Sequence, residues 1–467
     1  MLQAAAAVPR RRGLIYKSCF RPFVDRAGAA AGAGMIGPAH IESTRDRMIA
    51  LALFGFCAAI YALCTVSFHS DMVWAIHTTL SLLRGQWGDL STVPNIDPAH
   101  YSLVRVGDRL YMLFPIGTSL MIAPAVALLG VVAPGWLAHI EQVNPPSGHR
   151  MFAAVICALA VALFYRALRE RFARDVAVVA ALILAFATGM WSTASRGLWS
   201  HGPLILCYAV ALLMILRAER RPMLAALAGL PLGFAILVRP TAALALAAFA
   251  AVVAIRWPRR AIGFALCAAA IVGPWVACNL AIYGAPIPPY YRPSRLAGTR
   301  TFGEALLGHL VSPSRGLFVF SPVLLLLFPG LALALRGARD RLLAVALGAV
   351  ILGHWIGAAR FAHWWGGASF GPRLMIDILP FAVFLGAYAQ EGVMAMAPRA
   401  RGLAAGAVAL LALASAAINA QGALSGASIR WNVIPTNVDR APARVWDWHD
   451  PQVFSSLREW RGLRDRP

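Results

Sequence analysis

Residues 48–71 read MIALALFGFCAAIYALCTVSFHSD, and Arg45 and Arg47 stand just before them. The run 48–68 is apolar and long enough to cross a bilayer core, which takes about 20 residues. The arginines on its N-terminal side predict entry from the cytoplasm, because basic residues stay on the inner side. His69, Ser70 and Asp71 then emerge outside. One span with an acid directly at its outer end is the arrangement from which the rest of the chain is read.

The composition agrees with that opening. The chain has 467 residues, 60% hydrophobic and 13% charged, with a mean hydropathy of +0.67. Soluble domains carry about twice that share of charge. These figures exclude a disordered chain, a secreted disulfide scaffold and a conventional soluble enzyme. The net charge is +22, and Lys17 is the sole lysine, as a GC-biased gene would give. The arginines lie in short clusters between apolar runs and form no single basic face, so nucleic acid is not an expected partner. The seven cysteines show no CxxC or Cys/His ligand spacing. Neither a disulfide nor a metal site is expected.

Further apolar runs follow at 111–132, 151–167, 176–194, 203–217, 223–238, 241–255, 261–280, 317–335, 342–358, 374–389 and 403–420. Their connections fall into two classes. The segments 166–174, 217–221, 256–260, 336–341 and 399–401 are short and basic. The segments 195–202, 281–316 and 359–373 carry His, Trp, Gly, Pro and Tyr. From 151 onward the classes alternate, as inner and outer loops should. A full span at 111–132 would invert that alternation. Its Pro115, Gly117 and Pro124, with Pro134 just beyond, suit a broken or re-entrant helix, which membrane depth tolerates only under protein cover or along a cavity. Residues 69–150 therefore read as one long outer loop. It holds an interfacial helix near 72–84, with Trp74, Ile76, Leu80 and Leu83 on the apolar side, and the re-entrant piece. The expected fold is all-α and polytopic, with about eleven spans in a domain over 48–420. A poorly ordered cytoplasmic tail (1–47) precedes it and a small outer tail (421–467) follows.

Charge at membrane depth is costly and marks function by default. Asp71 has two compatible readings. A partly desolvated carboxylate at the end of a span can act as general base on a hydroxyl. Ser70 or Asp71 can instead cap the interfacial helix. Asp377 lies four residues after Arg373, the spacing of an i,i+4 pair on one helix face. It is either a structural ion pair or the group that aims Arg373 at an anion. Arg196, Arg292, Arg295, Arg300, Arg315, Arg360 and Arg373 all fall on the side that disfavours them, and Arg239 ends a short helical hairpin there. A guanidinium fork suits phosphate, although a GC-biased chain also scatters arginine over solvated loops. His201, in a tight outer turn, and Trp364 and Trp365, in another, suit a sugar or phosphate pocket as well as an interfacial aromatic belt. His69 stands beside the acid. The sequence contains no P-loop, no convincing dinucleotide fingerprint and no Ser/His/Asp order.

The succession of span, outer acid, long loop with interfacial helices and many spans with basic inner loops resembles the GT-C superfamily of membrane glycosyltransferases. Its members include the protein O-mannosyltransferases and the aminoarabinose transferase of lipid A. Ser70-Asp71 through Leu82-Leu83-Arg84-Gly85 resembles the family's acidic motif and first interfacial helix. Phe114-Pro115-Ile116-Gly117-Thr118-Ser119-Leu120 resembles its re-entrant stretch. Leu237-Val238-Arg239-Pro240-Thr241 and Gly371-Pro372-Arg373-Leu374 resemble recurring segments of bacterial members. The resemblance covers about residues 48–390.

It implies transfer, with inversion, of a sugar from a polyprenyl-phosphate donor to an acceptor hydroxyl on a glycan, lipid or protein. The place would be the outer face of a bacterial plasma membrane, in cell-envelope assembly. Asp71 would be the catalytic residue. Arg239, Arg373, His201 and Arg196 would bind the donor phosphate. His69, Trp364, Trp365 and Asp377 would shape the substrate pocket. Where many relatives have a second adjacent acid, Met72 stands here, and one carboxylate is a poor cation site, so no cofactor is expected. The same departure keeps an inactive partner as an alternative. A lipid-linked-saccharide flippase is the other, although the polar residues gather at one face and no repeat is evident.

Overall fold

The computed structural model describes residues 43–69, 71–291 and 301–464. Most of the expected N-terminal tail, together with Ser70, Arg292, Arg295 and Arg300, lies outside the described residues.

The chain is a multi-pass, helical membrane protein. Six described helices are long and apolar enough to cross a bilayer: Thr44–Leu63, Pro146–Arg169, Pro258–Tyr283, Arg341–Ala359, Arg373–Met394 and Pro398–Leu424. The other apolar runs are helical but shorter or interrupted, so the expected eleven are not all single full-length helices. The run at 176–194 is an α-helix over Arg174–Phe186 and then a π turn over Met190–Ala194. The run at 317–335 divides into Leu317–Phe320, Pro322–Leu326 and Leu327–Arg336, because Pro322 has no N–H to donate to the preceding turn. The helices Gly117–Val132 and Pro134–Val143 meet at a bend of 120°. This is the broken helix expected from the prolines.

Four of the short basic loops meet at one end of the bundle. Asp46 pairs with Arg169 and Arg174, each at 3.0 Å, and the Ser43 side chain caps the first helix beside it. Arg171 bridges Asp340 at 2.8 Å and Glu219 at 2.5 Å. Glu219 also takes Arg256 at 2.9 Å, and Glu170 takes Arg217 at 2.7 Å. A few acids thus neutralise many arginines where the two-class reading groups them together.

The core lies around Pro146–Arg169, His201–Arg217 and Leu379–Met394, whose side chains are buried along most of their length. Small residues let backbones touch, as membrane helix pairs require. A Cβ at Gly330 would sit 2.0 Å from the Leu385 carbonyl oxygen, and one at Gly117 would sit 2.4 Å from the Val238 nitrogen. The second contact presses the start of the bent pair against the end of the helix Gly229–Val238.

The long loop has its own apolar core, built from Met72, Ile76, Leu80, Phe114, Ile122, Ile140 and Phe152 among others. The expected interfacial helix is present as Ala75–Leu83. Ile76 and Leu80 are buried and Trp74 packs beside them, but Leu83 is 49% exposed. Being the last helical residue, it extends past the packed face. The all-α expectation needs one amendment, since Leu103–Val106 (β1) and Arg109–Met112 (β2) form an antiparallel hairpin. The turn is Gly107-Asp108, with Gly107 at φ 60°. Glycine as the first residue of a two-residue loop selects the hairpin turn that matches strand twist.

The C-terminal segment beyond Leu424 is made of short turns and the helix Ser455–Arg464. It is fastened to the bundle through Arg315, which is 1% exposed. Arg315 Nε donates to the Trp365 carbonyl at 2.6 Å. Nη1 donates to the Ser314 carbonyl and to Gln452 Oε1, at 2.7 and 2.6 Å. Nη2 donates to the Gly367 carbonyl and to Asn432 Oδ1, at 3.0 and 2.8 Å. Every N–H of the guanidinium has an acceptor.

Candidate active site

At the end opposite the basic loops, four chain breaks converge. Asp71 lies between the first long helix and Ala75–Leu83. Arg239 ends the helix Gly229–Val238 in an extended conformation, φ −151° and ψ 116°, as the residue before a proline must. His201 opens the helix His201–Arg217. Arg373 and Asp377 lie on a 3₁₀ turn, Arg373–Ile378, which follows Gly371-Pro372. Gly371 takes φ +66°, and a Cβ there would meet the Phe320 ring at 2.7 Å, so glycine is needed twice over.

These breaks surround one cavity. Asp71, Arg239 and Arg373 line it, together with Ser200, Thr241, Phe114, Tyr290, Tyr291 and His354. Arg373 Nη2 is 2.8 Å from Asp71 Oδ2, and its guanidinium lies over the Trp199 ring at 4.4 Å. The Tyr101 hydroxyl donates to the other Asp71 oxygen at 3.3 Å. Arg373 Nε is buried and has no partner.

A second charge cluster backs the first. Asp377 is 1% exposed. His201 Nδ1 lies 2.6 Å from its Oδ1, which places the imidazole proton on that nitrogen. Arg239 Nε lies 2.9 Å from Oδ2 but off the hydrogen-bonding line, so this contact is one of charge. Arg239 Nη1 donates to Ser200 Oγ at 3.1 Å and stands 3.4 and 3.5 Å from the two His201 nitrogens. The guanidinium therefore lies over the imidazole face. His354 Nε2 donates to the Leu374 carbonyl at 2.8 Å and is 3.8 Å from Asp377. Burial raises the Tyr291 phenol well above its ordinary pKa, against the pull of Arg239, so Tyr291 presents a neutral O–H.

The stretch 142–277 matches the family described as dolichyl-phosphate-mannose-protein mannosyltransferase. Among solved structures, the chain is similar to ArnT from Cupriavidus metallidurans bound to undecaprenyl phosphate. That match has 17% identity and a TM-score of 0.52, over 82% of this chain and 66% of that one. It is also similar to the apo oligosaccharyltransferase of Archaeoglobus fulgidus. There the identity is 13% and the TM-score 0.51, over 88% of this chain and 61% of that one. The chain shares its overall fold with these two proteins. The chain spans less than two thirds of the length of these two proteins. No curated protein matches it.

Within this fold the expected residues separate into three groups. Asp71, Arg239 and Arg373 share the cavity wall. His201 and Asp377 stand behind Arg239. The rest are elsewhere. Arg196 is fully buried; its Nη2 donates to the Tyr61 carbonyl at 2.6 Å, so it ties the first helix to the π turn and does not reach the cavity. His69 is spent on the Asn144 carbonyl at 2.7 Å. Trp364 packs with Trp431, Val438 and Val445, and Trp365 Nε1 donates to Asp439 at 2.8 Å. Both tryptophans serve the C-terminal segment.

Two pairings are also corrected. Arg373 and Asp377 do not pair with each other, because a 3₁₀ turn repeats every three residues and places i and i+4 on different sides. Asp71 is not a helix cap, since Trp74 occupies that position without a side-chain bond. Sequence reasoning missed Tyr101, Trp199, Tyr290, Tyr291 and His354. The Tyr290-Tyr291 pair in an outer-class loop was the available signal.

Proposed function

We propose that the protein is a membrane glycosyltransferase that moves a sugar from a polyprenyl-phosphate-linked donor to an acceptor hydroxyl. The acceptor would be a glycan, lipid or protein, and the site would face outward from a bacterial plasma membrane. The observation that carries this reading is one carboxylate and two arginines on the wall of a single cavity in a GT-C fold. Asp71 takes the proton of the acceptor hydroxyl as that oxygen attacks the anomeric carbon. The bond from that carbon to the phosphate oxygen breaks, and the configuration inverts. Arg239 and Arg373 take up the charge on the departing polyprenyl phosphate, which is the electrostatic part of catalysis. Pairing with a buried acid keeps Arg239 in place without substrate. Tyr290, Tyr291 and Phe114 offer ring faces and hydroxyls to a sugar. The donor bond supplies the energy, so no nucleotide is needed.

The test is donor consumption by the purified full-length protein in nanodiscs, against a panel of polyprenyl-phosphate sugars with candidate acceptors. Wild type is expected to consume at least one donor, and Asp71→Asn to lose at least 10²-fold in rate at unchanged melting temperature. Full activity in Asp71→Asn would remove Asp71 as base. No consumption of any donor would favour an inactive GT-C-like partner.

A further inference from the structure

The base candidate and the phosphate site share one group. Arg373 is bound to Asp71 through Nη2 at 2.8 Å, is stacked on Trp199, and holds a buried Nε–H with no acceptor. A buried, unbonded N–H on a charged group is costly, so the guanidinium of Arg373 has unmet hydrogen-bonding capacity. The other cavity arginine, Arg239, also has an unbonded Nε–H, but its counter-ion is the fully buried Asp377, with a side chain 1% exposed. Arg373 is the cavity guanidinium whose own carboxylate partner lies open to the cavity. That guanidinium is already the partner of Asp71, whose side chain keeps 22% exposure to the cavity.

We infer that Asp71 and the donor phosphate compete for Arg373, so that donor binds first and frees Asp71 for the acceptor hydroxyl. The inference rests on the glycosyltransferase reading and adds an order of binding to it. Without donor, the Asp71 oxygen that would meet the acceptor hydroxyl is occupied by the Arg373 guanidinium. A phosphate oxygen that accepts from this guanidinium draws the same charge away from Asp71. Asp71 then keeps the Tyr101 hydroxyl on one oxygen and turns the other to the acceptor. Trp199 holds the guanidinium plane throughout, so the exchange needs no movement of the backbone. A base released only by donor protects the donor bond from attack before the phosphate is seated.

Linkage makes this measurable, because two groups that compete for one partner weaken each other equally. The affinity of the full chain in nanodiscs for undecaprenyl phosphate is measured for wild type, Asp71→Asn and Asp108→Asn. Asp108 is an exposed acid on the hairpin turn, outside the cavity. Asp71→Asn is expected to bind roughly fivefold tighter, the scale of a partly exposed ion pair, and Asp108→Asn to bind as wild type does. Carbodiimide labelling of Asp71 in the unaltered protein, read by mass spectrometry, is expected to rise when undecaprenyl phosphate is added. Equal or weaker binding by Asp71→Asn, or labelling that ignores the phosphate, overturns the competition and leaves the glycosyltransferase reading standing. Failure of wild type to bind the phosphate at all overturns both.

Discussion

Asp377 does its work at the scale of single atoms. It carries a full charge where the protein admits almost no solvent, and two cationic or dipolar groups, Arg239 and His201, face its two oxygens. Removing one member of such a cluster leaves the others charged and dry, at a cost on the order of 3–5 kcal/mol. Asp377→Ala is therefore expected to lower the melting temperature of the detergent-solubilised protein by several degrees. Asp377→Asn, which keeps the bond to His201 Nδ1–H, should fall in between. Equal melting of all three proteins would mean that the cluster is not held as described. The residue scale is also where the sequence was least legible. Asp71, Arg239 and Arg373 could be singled out because apolar sequence or a span end surrounds them. Their partners could not, since the pairings Asp71–Arg373 and Arg239–Asp377 join residues more than 130 positions apart. The spacing of Arg373 and Asp377 suggested the wrong pair, because nothing in the sequence distinguishes a 3₁₀ turn from the first turn of an α-helix.

At the scale of elements, prolines and glycines decide where helices stop, and the helix ends are where the site is built. Pro240 ends one helix at Arg239, Pro372 begins a turn at Arg373, and Gly117 starts the bent pair in contact with Leu237 and Val238. The bend was readable from its prolines. The β1–β2 hairpin had its signal too, alternating residues around Gly107-Asp108, but it lay within a loop read only for membrane depth. The Gly117 contact could not be read, since it depends on a backbone more than a hundred residues away. It carries a direct consequence for the site, because Val238 is the neighbour of Arg239. Gly117→Ala places a Cβ 2.4 Å from that backbone and must push the two helices apart, a strain of about 1–3 kcal/mol. The expected result is a folded protein with at least tenfold weaker binding of polyprenyl phosphate. Unchanged binding would show that the contact yields without moving Arg239.

For the molecule as a whole, the two classes of loop separate to opposite ends, and this was the most legible feature of all. Hydropathy and arginine counts contain it, because each loop must be compatible with the side of the membrane it faces. The count of spans was less legible, since an apolar run is the same letters whether it forms one straight helix or three short ones. The excess arginine at the cavity end was legible as an anomaly but not in its cause. Part of it lines the cavity, and part of it, Arg315, is internal structure. Arg315→Met is expected to leave three acceptors, the Trp365 and Ser314 carbonyls and Asn432 Oδ1, without their donor and to loosen the segment beyond Leu424. Limited proteolysis should then cut within 425–464 while the membrane helices stay intact. Resistance equal to wild type would mean that the tryptophan cluster alone retains the segment.

Arg315 and its acceptor on Gln452 are separated by 137 residues. At a translation rate of roughly 5–20 residues per second, the arginine leaves the ribosome about 7–27 seconds before its last partner does. Late in that interval the guanidinium, at the same end of the bundle as the cavity, has its carbonyl acceptors on Ser314, Trp365 and Gly367 but not the one on Gln452. A messenger cut between codons 425 and 452 yields a protein whose described membrane helices are all made but whose arginine lacks its acceptor on Gln452. Proteases that survey newly inserted membrane proteins can read that unsatisfied end as a mark of incompleteness, so damaged transcripts need not leave half-built protein in the membrane.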